Sequence, residues 1–113
     1  MKLIEAVIRP VNMAEVKTAV QKLGVEEISF EQIMVSQSVS QDSKKREYQF
    51  YRGTEYVADF ITKIKVEIVA FDELVGKVVE TINKIAATGR KGDCRIYILP
   101  VEEMRICYGY AKA

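Results

Sequence analysis

The sequence contains no histidine and no tryptophan, only two cysteines and two prolines, and almost no net charge. The absence of histidine excludes imidazole acid–base catalysis and histidine–metal sites. The two cysteines, Cys94 and Cys107, fit a reducing compartment better than a disulfide scaffold. A net charge of +1 provides no overall field for nucleic acid or an anionic membrane, so any such preference depends on local clusters.

No apolar run approaches the roughly 18 residues that a membrane-spanning helix needs, and the first five residues lack the layout of a signal peptide. We therefore expect a cytoplasmic protein that does not itself span a membrane. The length of 113 residues is close to the commonest domain size, and a composition of 49% hydrophobic and 29% charged residues is ordinary for a globular protein. The sequence predicts a single domain over residues 1–113.

Apolar periodicity predicts four main strands and two helices. The predicted strands are Leu3–Ile8, Val25–Val35, Tyr56–Ala70 and Arg95–Leu99, with Arg105–Tyr108 as a candidate for one more short strand. The first helix begins at Asn12, which stands three residues before Glu15 as in a capping box, and ends at Gly24. The second helix is capped by Asp72 and ends at Gly89.

The order strand–helix–strand–strand–helix–strand predicts an α+β, ferredoxin-like βαββαβ sandwich with a long loop between strands 2 and 3. In this fold both helices cover one face of the sheet. The other face carries Val7, Tyr97 and Leu99 and needs a cover, which predicts self-association.

The second predicted strand changes parity along its length. Ile28 and Phe30 share one face, whereas Ile33 and Val35 share the other. A bulge or a strand covered on both faces explains this pattern, and the sequence does not choose between them.

The predicted long loop covers residues 36–55. From Ser36 to about Arg46 the chain is polar, lacks a core pattern and ends in three cations, which is typical of a mobile loop. The aromatic residues Tyr48, Phe50 and Tyr51 follow. Aromatic side chains flanked by charge suggest a surface for another macromolecule, and the alternative is that they fold back on the domain.

The stretch Thr88–Leu99 places two glycines, three cations, a hydroxyl and a carboxylate within eight positions. Glycines allow backbone N–H groups to turn inward as an anion-binding concavity, and neighbouring cations neutralise the bound charge. The pattern predicts a phosphate cradle. The alternative is a helix stop at Gly89 followed by a solvated turn, and the stretch is not the Gly-x-x-x-x-Gly-Lys-Ser/Thr sequence of a P-loop.

Four segments resemble the PII signal-transduction proteins. They are Met-Lys-Leu-Ile-Glu-Ala-Val-Ile-Arg-Pro at 1–10, Tyr-Arg-Gly-Thr-Glu-Tyr-Val-Ala-Asp-Phe at 51–60, Lys-Ile-Lys-Val-Glu-Ile-Val at 63–69 and Thr-Gly-Arg-Lys-Gly-Asp-Cys-Arg-Ile-Tyr at 88–97. The resemblance implies a homotrimer of ferredoxin-like subunits that binds adenine nucleotides in the clefts between subunits. It also implies that the long loop docks onto a protein target, which is an enzyme, a regulator or an ammonium transporter.

The resemblance assigns roles residue by residue. The implied nucleotide-binding residues are Ile8, Glu67, Val69, Thr88, Gly89, Arg90, Gly92, Asp93, Arg95 and Arg105. Ile8, Glu67 and Val69 line the adenine end, and Arg105 reaches the nucleotide from the adjacent subunit. The implied co-ligand residues are Lys63, which matches a lysine that contacts 2-oxoglutarate, and Gln37 and Gln41. The implied partner and modification loop contains Tyr51, Arg52, which resembles an arginine that enters an ammonium channel, and Tyr56, which matches a tyrosine that some members have uridylylated.

The chain also departs from the family pattern. The loop base Val-Ser-Gln-Ser-Val-Ser-Gln at 35–41 replaces a glycine-rich segment, and Gln37 and Gln41 are both offset from the glutamine that helps bind Mg²⁺ and 2-oxoglutarate. Whether these two ligands bind is therefore open. Cys107 replaces an arginine and Cys94 a glycine. One lost arginine–phosphate contact is worth about 1.5–3 kcal/mol, which predicts a weaker grip on a triphosphate and a shift from ATP toward ADP or AMP.

Other classes of function are weighed against this one. A ferredoxin-like protein that senses a different ligand, such as AMP, a cyclic nucleotide or a bicarbonate-linked signal, fits the same fold. A phosphatase would have Asp93 as its only obvious carboxylate in the cradle, and a nucleic-acid module would share the topology but lacks the Lys/Arg-Gly-Phe-Gly-Phe-Val strand motif. We expect a regulatory protein that is not an enzyme, with no catalytic residues, no metal-ligating residues and no nucleic-acid partner.

Overall fold

A computed structural model describes residues 1–36, 48–51, 54–57, 60–90 and 92–108 of the chain. Its main elements follow each other as strand, helix, two longer strands separated by a hairpin, helix and strand. In chain order they are β1 (Lys2–Ile8), a 3₁₀ turn (Pro10–Asn12), α1 (Met13–Gln21), β2 (Ile28–Ser36), β3 (Tyr48–Tyr51), β4 (Thr54–Val57), β5 (Phe60–Ala70), α2 (Asp72–Ala86) and β6 (Arg95–Pro100).

Four of the strands form one antiparallel sheet in the order β2-β5-β1-β6. The two central strands are thus the first and third long strands of the chain, and each helix connects a central strand to an edge strand. This arrangement confirms the predicted α+β, ferredoxin-like fold. The assembly of several copies stays a prediction.

The core lies between one face of this sheet and the two helices. Alternate residues of β1 and β5 point into it because successive side chains of a strand point to opposite faces. The fully buried larger side chains are Ile4, Ile8, Val66 and Ile68 from the sheet and Val16, Val20, Val78 and Ile82 from the helices. Burying each of these contributes about 1.5–3 kcal/mol, so this interface supplies most of the driving force for folding.

Both helices begin without the predicted side-chain caps. The Asn12 side chain makes no capping hydrogen bond; it is buried and donates to the Ile85 carbonyl near the end of α2, at 3.4 Å. Asp72 is the first residue of α2 and follows the N-cap Phe71, and its carboxylate accepts a 2.7 Å hydrogen bond from the Met1 ammonium. This ammonium lowers the pKa of Asp72. Long-range partners therefore replace local capping at both sites.

The parity change in β2 does not arise from a bulge. Every residue from Ile28 to Ser36 pairs in one continuous register with β5, from Ile28 opposite Ile68 to Ser36 opposite Phe60. Ile28 and Phe30 pack against the core, whereas Ile33 and Val35 lie on the other face of the sheet. Apolar side chains therefore occur on both faces of this edge strand.

Three sequence predictions need correction at the level of elements. The second half of the predicted loop contains a two-stranded antiparallel sheet, in which β3 pairs with β4. The predicted strand Tyr56–Ala70 is divided between β4 and β5. The segment Arg105–Tyr108 is irregular and forms no strand. Among the described residues, no helix is long and apolar enough to cross a membrane.

Candidate functional site: a glycine loop at the end of an open sheet face

One face of the four-stranded sheet is not covered by the helices; we call it the open face. It carries the residues of β5 whose side chains point away from the core, which are Lys63, Lys65, Glu67 and Val69. Their neighbours on the other three strands lie on the same face. Tyr97 and Leu99 are exposed there by 49% and 41%, respectively. The prediction that this face includes uncovered apolar residues is confirmed.

The predicted phosphate cradle forms an exposed loop at one end of this face. We call residues 88–95 the glycine loop. It starts two residues after α2 ends, and it returns the chain to the sheet at β6. Gly89 and Gly92 have φ values of +84° and +93°, where an L-residue costs about 1–2 kcal/mol. The sequence therefore needs glycine at both positions to turn the backbone in this way.

Side-chain and backbone hydrogen bonds hold the glycine loop in shape. The Thr88 hydroxyl donates to the Asp93 carboxylate and so joins the two ends of the turn. Inside it, the Arg90 N–H donates to Thr88 Oγ1 and the Asp93 N–H donates to the Arg90 carbonyl, both at 3.4 Å. These two bonds are longer than the usual 2.7–3.2 Å. The structure thus gives Asp93 a role in closing the loop.

Lys63 connects the glycine loop to the sheet. Its ammonium donates to the Gly92 carbonyl, with an Nζ–O distance of 3.2 Å, although the two residues are 29 positions apart. Lys63 is only 6% exposed. The structure therefore joins the residue predicted from the family as a co-ligand contact directly to the predicted cradle.

Two arginines extend from the glycine loop into solvent. Arg90 and Arg95 are both exposed, and Arg95 begins β6 opposite Val7 of β1. Lys91 lies outside the described residues. Two exposed guanidinium groups beside a glycine turn can form paired hydrogen bonds with phosphate oxygens.

Cys94 stands between the glycine loop and β6. It is partly buried and packs against the core. Burial raises the pKa of the Cys94 thiol, and the Lys63 ammonium opposes this shift. Cys107 is exposed on the irregular segment that follows β6. The two thiols therefore differ in both access and surroundings.

The predicted adenine-contacting residues fall into two groups. Ile8 has no accessible surface, since its side chain belongs to the core, and the prediction that it lines a ligand cleft is wrong for this chain. Its neighbour Val7 lies on the open face instead. Glu67 and Val69 both line a surface groove of about 600 Å³ at the opposite end of the open face from the glycine loop.

Apolar and acidic residues line this groove together. The apolar ones include Leu3, Val25 and Met104, and the acidic ones include Glu26 and Glu27. None of the described residues of the glycine loop lines it. Leu3 of β1 pairs with Val69 at the groove, and Val7 of β1 pairs with Arg95 at the glycine loop. These two β1 residues are four positions apart, so the groove and the glycine loop are separated by about 13 Å along the strand.

A charged cluster fills the open face between the groove and the glycine loop. The Lys65 ammonium lies 3.2 Å from Glu67 Oε1 and 3.7 Å from carboxylate oxygens of Glu5 and Glu31. The hydrogen bond and the charge of Glu67, with smaller effects of the other two carboxylates, raise the pKa of Lys65. Three carboxylates around one ammonium leave this part of the face with excess negative charge.

The remaining predicted site residues lie away from the glycine loop or outside the description. Arg105 is on the irregular segment after β6, with its side chain 82% exposed and its Nε 2.6 Å from Glu103 Oε1. Tyr51 ends β3, and Tyr56 pairs with Gln49 in the hairpin. Gln37, Gln41 and Arg52 lie outside the described residues.

Sequence reasoning missed two features of this site. One is the hydrogen bond from Lys63 to Gly92, which no local pattern indicates, because the two residues meet only through the sheet topology. The other is the part of the groove formed by Ser29 and Met104. Ser29 could have been found from the strand order, since it pairs with Glu67.

Comparison with known proteins agrees with this fold. The family model for "Nitrogen regulatory protein P-II" matches residues 1–108. The chain is 41% identical over 104 residues to the Nitrogen regulatory protein P-II of Azospirillum brasilense, and this match covers 92% of the chain and 88% of the relative. It is 42% identical over 104 residues to the protein of the same name from Rhizobium meliloti strain 1021, with the same coverage.

A third relative of this name, from Nostoc punctiforme, is 40% identical over 104 residues, which again represent 92% of the chain and 88% of the relative. The matched region includes β1, the glycine loop and the whole four-stranded sheet. The chain therefore belongs to the nitrogen regulatory protein P-II family, whose members are signalling proteins and not enzymes.

Proposed function

We propose that this protein is a trimeric P-II signalling protein that binds an adenine nucleotide between its subunits and regulates a target protein through residues 36–55. The observation that carries the nucleotide part is the glycine loop. Two glycines with positive φ and two exposed arginines form an anion-binding turn at the end of an uncovered sheet face. The family membership supports the regulatory part.

The electrostatics of the open face favour a site between two copies. Within one chain, a nucleotide that reached from the groove at Val69 to the glycine loop would have to cross the cluster around Lys65. Its phosphates would then meet the carboxylates of Glu5, Glu31 and Glu67. A nucleotide bound in the groove of one subunit and by the glycine loop of the next avoids this repulsion. The uncovered apolar residues of the open face supply the driving force for such an assembly.

The effector is ATP, ADP or AMP in this proposal. Arg90, Arg95 and the backbone of the glycine loop contact the phosphates, and Glu67 and Val69 contact the base. Val7 takes the place that the sequence assigned to Ile8, because it is the adjacent β1 residue and lies on the open face. Arg105 has an exposed side chain that pairs with its neighbour Glu103 at the surface, which is compatible with contact to a ligand bound by an adjacent subunit.

A 2-oxoglutarate co-ligand, bound with or without Mg²⁺, would act near Lys63. The ammonium of this lysine is the buried cation beside the glycine loop, and a dicarboxylate is the kind of anion that it can pair with. The glutamines proposed to complete this site are Gln37 and Gln41. The family resemblance, rather than the geometry, carries this part of the proposal.

Residues 36–55 would dock onto the target, which is an enzyme, a regulator or a membrane transporter. The hairpin of β3 and β4 is paired only within itself in the described chain and forms a separate sheet. Its position directly before β5 connects it to the strand that carries Lys63. Tyr51, Arg52 and Tyr56 are the proposed contact and modification residues. Nucleotide binding would act by favouring one conformation of this segment.

Calorimetry with the full-length protein tests the nucleotide part of the proposal. ADP, ATP, AMP and cyclic AMP are titrated with and without Mg²⁺ and 2-oxoglutarate, and adenosine serves as the phosphate-free probe. We expect Arg95→Ala to weaken all phosphorylated ligands by about tenfold to a hundredfold and to leave adenosine unaffected.

Lys17→Ala on the exposed surface of α1 is the control, because it removes a cation far from the open face. It should leave all affinities unchanged. A wild-type protein that binds none of the adenylates, or an Arg95→Ala variant with wild-type affinity for ADP, would refute the assignment of the glycine loop.

A further inference from the structure

We propose that Lys63 is a positioning residue of the glycine loop: its ammonium fixes the Gly92–Asp93 peptide in the orientation that binds phosphate. This inference rests on the proposed nucleotide function and deepens it. It gives Lys63 a role in nucleotide binding that requires no dicarboxylate co-ligand.

The first observation is that Lys63 is a buried cation with an unusual partner. Its side chain is 6% exposed, and its Nζ lies 3.2 Å from the Gly92 carbonyl oxygen. Among the described residues, no carboxylate is within 4.0 Å of this Nζ, whereas Lys65, two residues later on the same face, has three. A buried charge without good partners is costly. The Gly92 carbonyl is thus a main compensation for burying this ammonium.

The second observation is the position of this carbonyl in the loop. The carbonyl of Gly92 and the N–H of Asp93 belong to one planar peptide unit, so the direction of one sets the direction of the other. Gly92 has a φ of +93°, and no described atom lies within 4 Å of where a Cβ would be, so side-chain packing at that position does not hold the peptide in place. The bonds that N–H groups make inside the loop are long, at 3.4 Å. Among the described residues, Lys63 thus ties this peptide to the rigid sheet.

Nuclear magnetic resonance of the ligand-free protein tests whether the Lys63 ammonium holds the Gly92 carbonyl in place. Lys63→Met keeps a long apolar stem and removes the donor, and Lys77→Met on the exposed side of α2 is the matched control. We expect Lys63→Met to move the carbonyl carbon-13 resonance of Gly92 and to lower the order parameters of residues 89–93 from about 0.85 to below about 0.6. The control should change neither. Thermal unfolding checks that each variant is folded, and Lys63→Gln replaces Lys63→Met if the latter is not.

Calorimetry with ADP and adenosine, without any dicarboxylate, tests the consequence for binding. We expect Lys63→Met to weaken ADP by about tenfold and adenosine hardly at all, with partial recovery in Lys63→Arg. Wild-type binding of ADP together with an unchanged Gly92 resonance in Lys63→Met would overturn this inference and leave the proposed function standing. Failure of the wild type to bind any adenylate would refute the proposed function, and the Gly92 resonance would still decide the role of Lys63.

Discussion

The substitution Gly92→Ala tests whether phosphate binding depends on the positive φ of Gly92 in the glycine loop. Gly92 has a φ of +93°, and a Cβ added there would meet no atom within 4 Å. The substitution therefore introduces backbone strain without a steric clash. Gly24, which follows α1, offers a matched control, since its φ is +94° and its Cβ position is equally empty.

The strain sets the size of the expected effect. Forcing a non-glycine residue into this region costs about 1–2 kcal/mol. If the alanine keeps the glycine's conformation, this strain lowers the free energy of unfolding, by an amount that shifts the Tm about 4 °C per kcal/mol in a domain of this size. If the loop instead changes its conformation to relieve the strain, stability is preserved and phosphate binding is lost. Gly24→Ala should show the loss of stability alone.

Two measurements separate these outcomes. Thermal unfolding at a fixed protein concentration gives the stability, and calorimetry gives the ratio of the affinities for ADP and adenosine. This ratio isolates the phosphates, so a change in the base-binding groove that Gly24 lines would not affect it. If the loop changes its conformation, Gly92→Ala lowers the ratio by about tenfold; Gly24→Ala should leave it unchanged in either case. A Gly92→Ala variant with both wild-type stability and a wild-type ratio would refute the loop conformation.

Three further predictions concern the helices, the core and the thiols. Gly76→Ala should raise the free energy of unfolding by about 0.5–1 kcal/mol in a thermal or urea titration, because Gly76 is exposed inside α2 with open space around it, and a lower stability would contradict this. Ile82→Ala should lower the free energy of unfolding by about 2–5 kcal/mol, since Ile82 is fully buried. Ile98→Ala, at a half-exposed residue of the edge strand β6, should lower it much less, and equal losses would contradict the core assignment. Iodoacetamide at pH 7 should modify Cys107 well before Cys94, as followed by mass spectrometry, because burial raises the pKa of Cys94 and keeps its thiol protonated. The difference in rate should shrink as the pH rises toward this pKa, and equal rates at pH 7 would refute the burial of Cys94.

The sequence predicted the sheet and both helices because their patterns are regular. Alternation of apolar residues in β5 separates Val66 from Lys65, and the helical spacing of Val78 and Ile82 places both in the core. These patterns depend only on strand and helix periods, so they are visible locally. The same reasoning failed at the helix starts, where Asn12 and Asp72 have distant partners in place of their own backbone.

The candidate site was predictable in composition but not in geometry. Two glycines among cations indicated a tight turn, and the positive φ values of Gly89 and Gly92 agree with that turn; its binding of an anion stays a prediction. The position of Ile8 was misjudged by one residue, because adjacent strand residues face opposite sides and only the register decides which side is open. The bond from Lys63 to Gly92 depends on the tertiary fold that brings the glycine loop beside β5, which no short pattern encodes.

The central claim is that one subunit provides the groove and the next provides the glycine loop of each nucleotide site. Two variants test it when they are co-expressed with different tags and purified as mixed assemblies. Arg95→Ala disables the loop, and Val69→Glu places a charge in the groove. Each variant alone should bind ADP poorly.

The decisive measurement is the number of ADP sites in the mixed assembly, determined by calorimetry. In a random mixture of equal parts, about one interface in four combines an intact groove with an intact loop from the neighbouring subunit. We expect recovery of that fraction of sites with wild-type affinity. A mixed assembly that binds ADP no better than its two parents would contradict it.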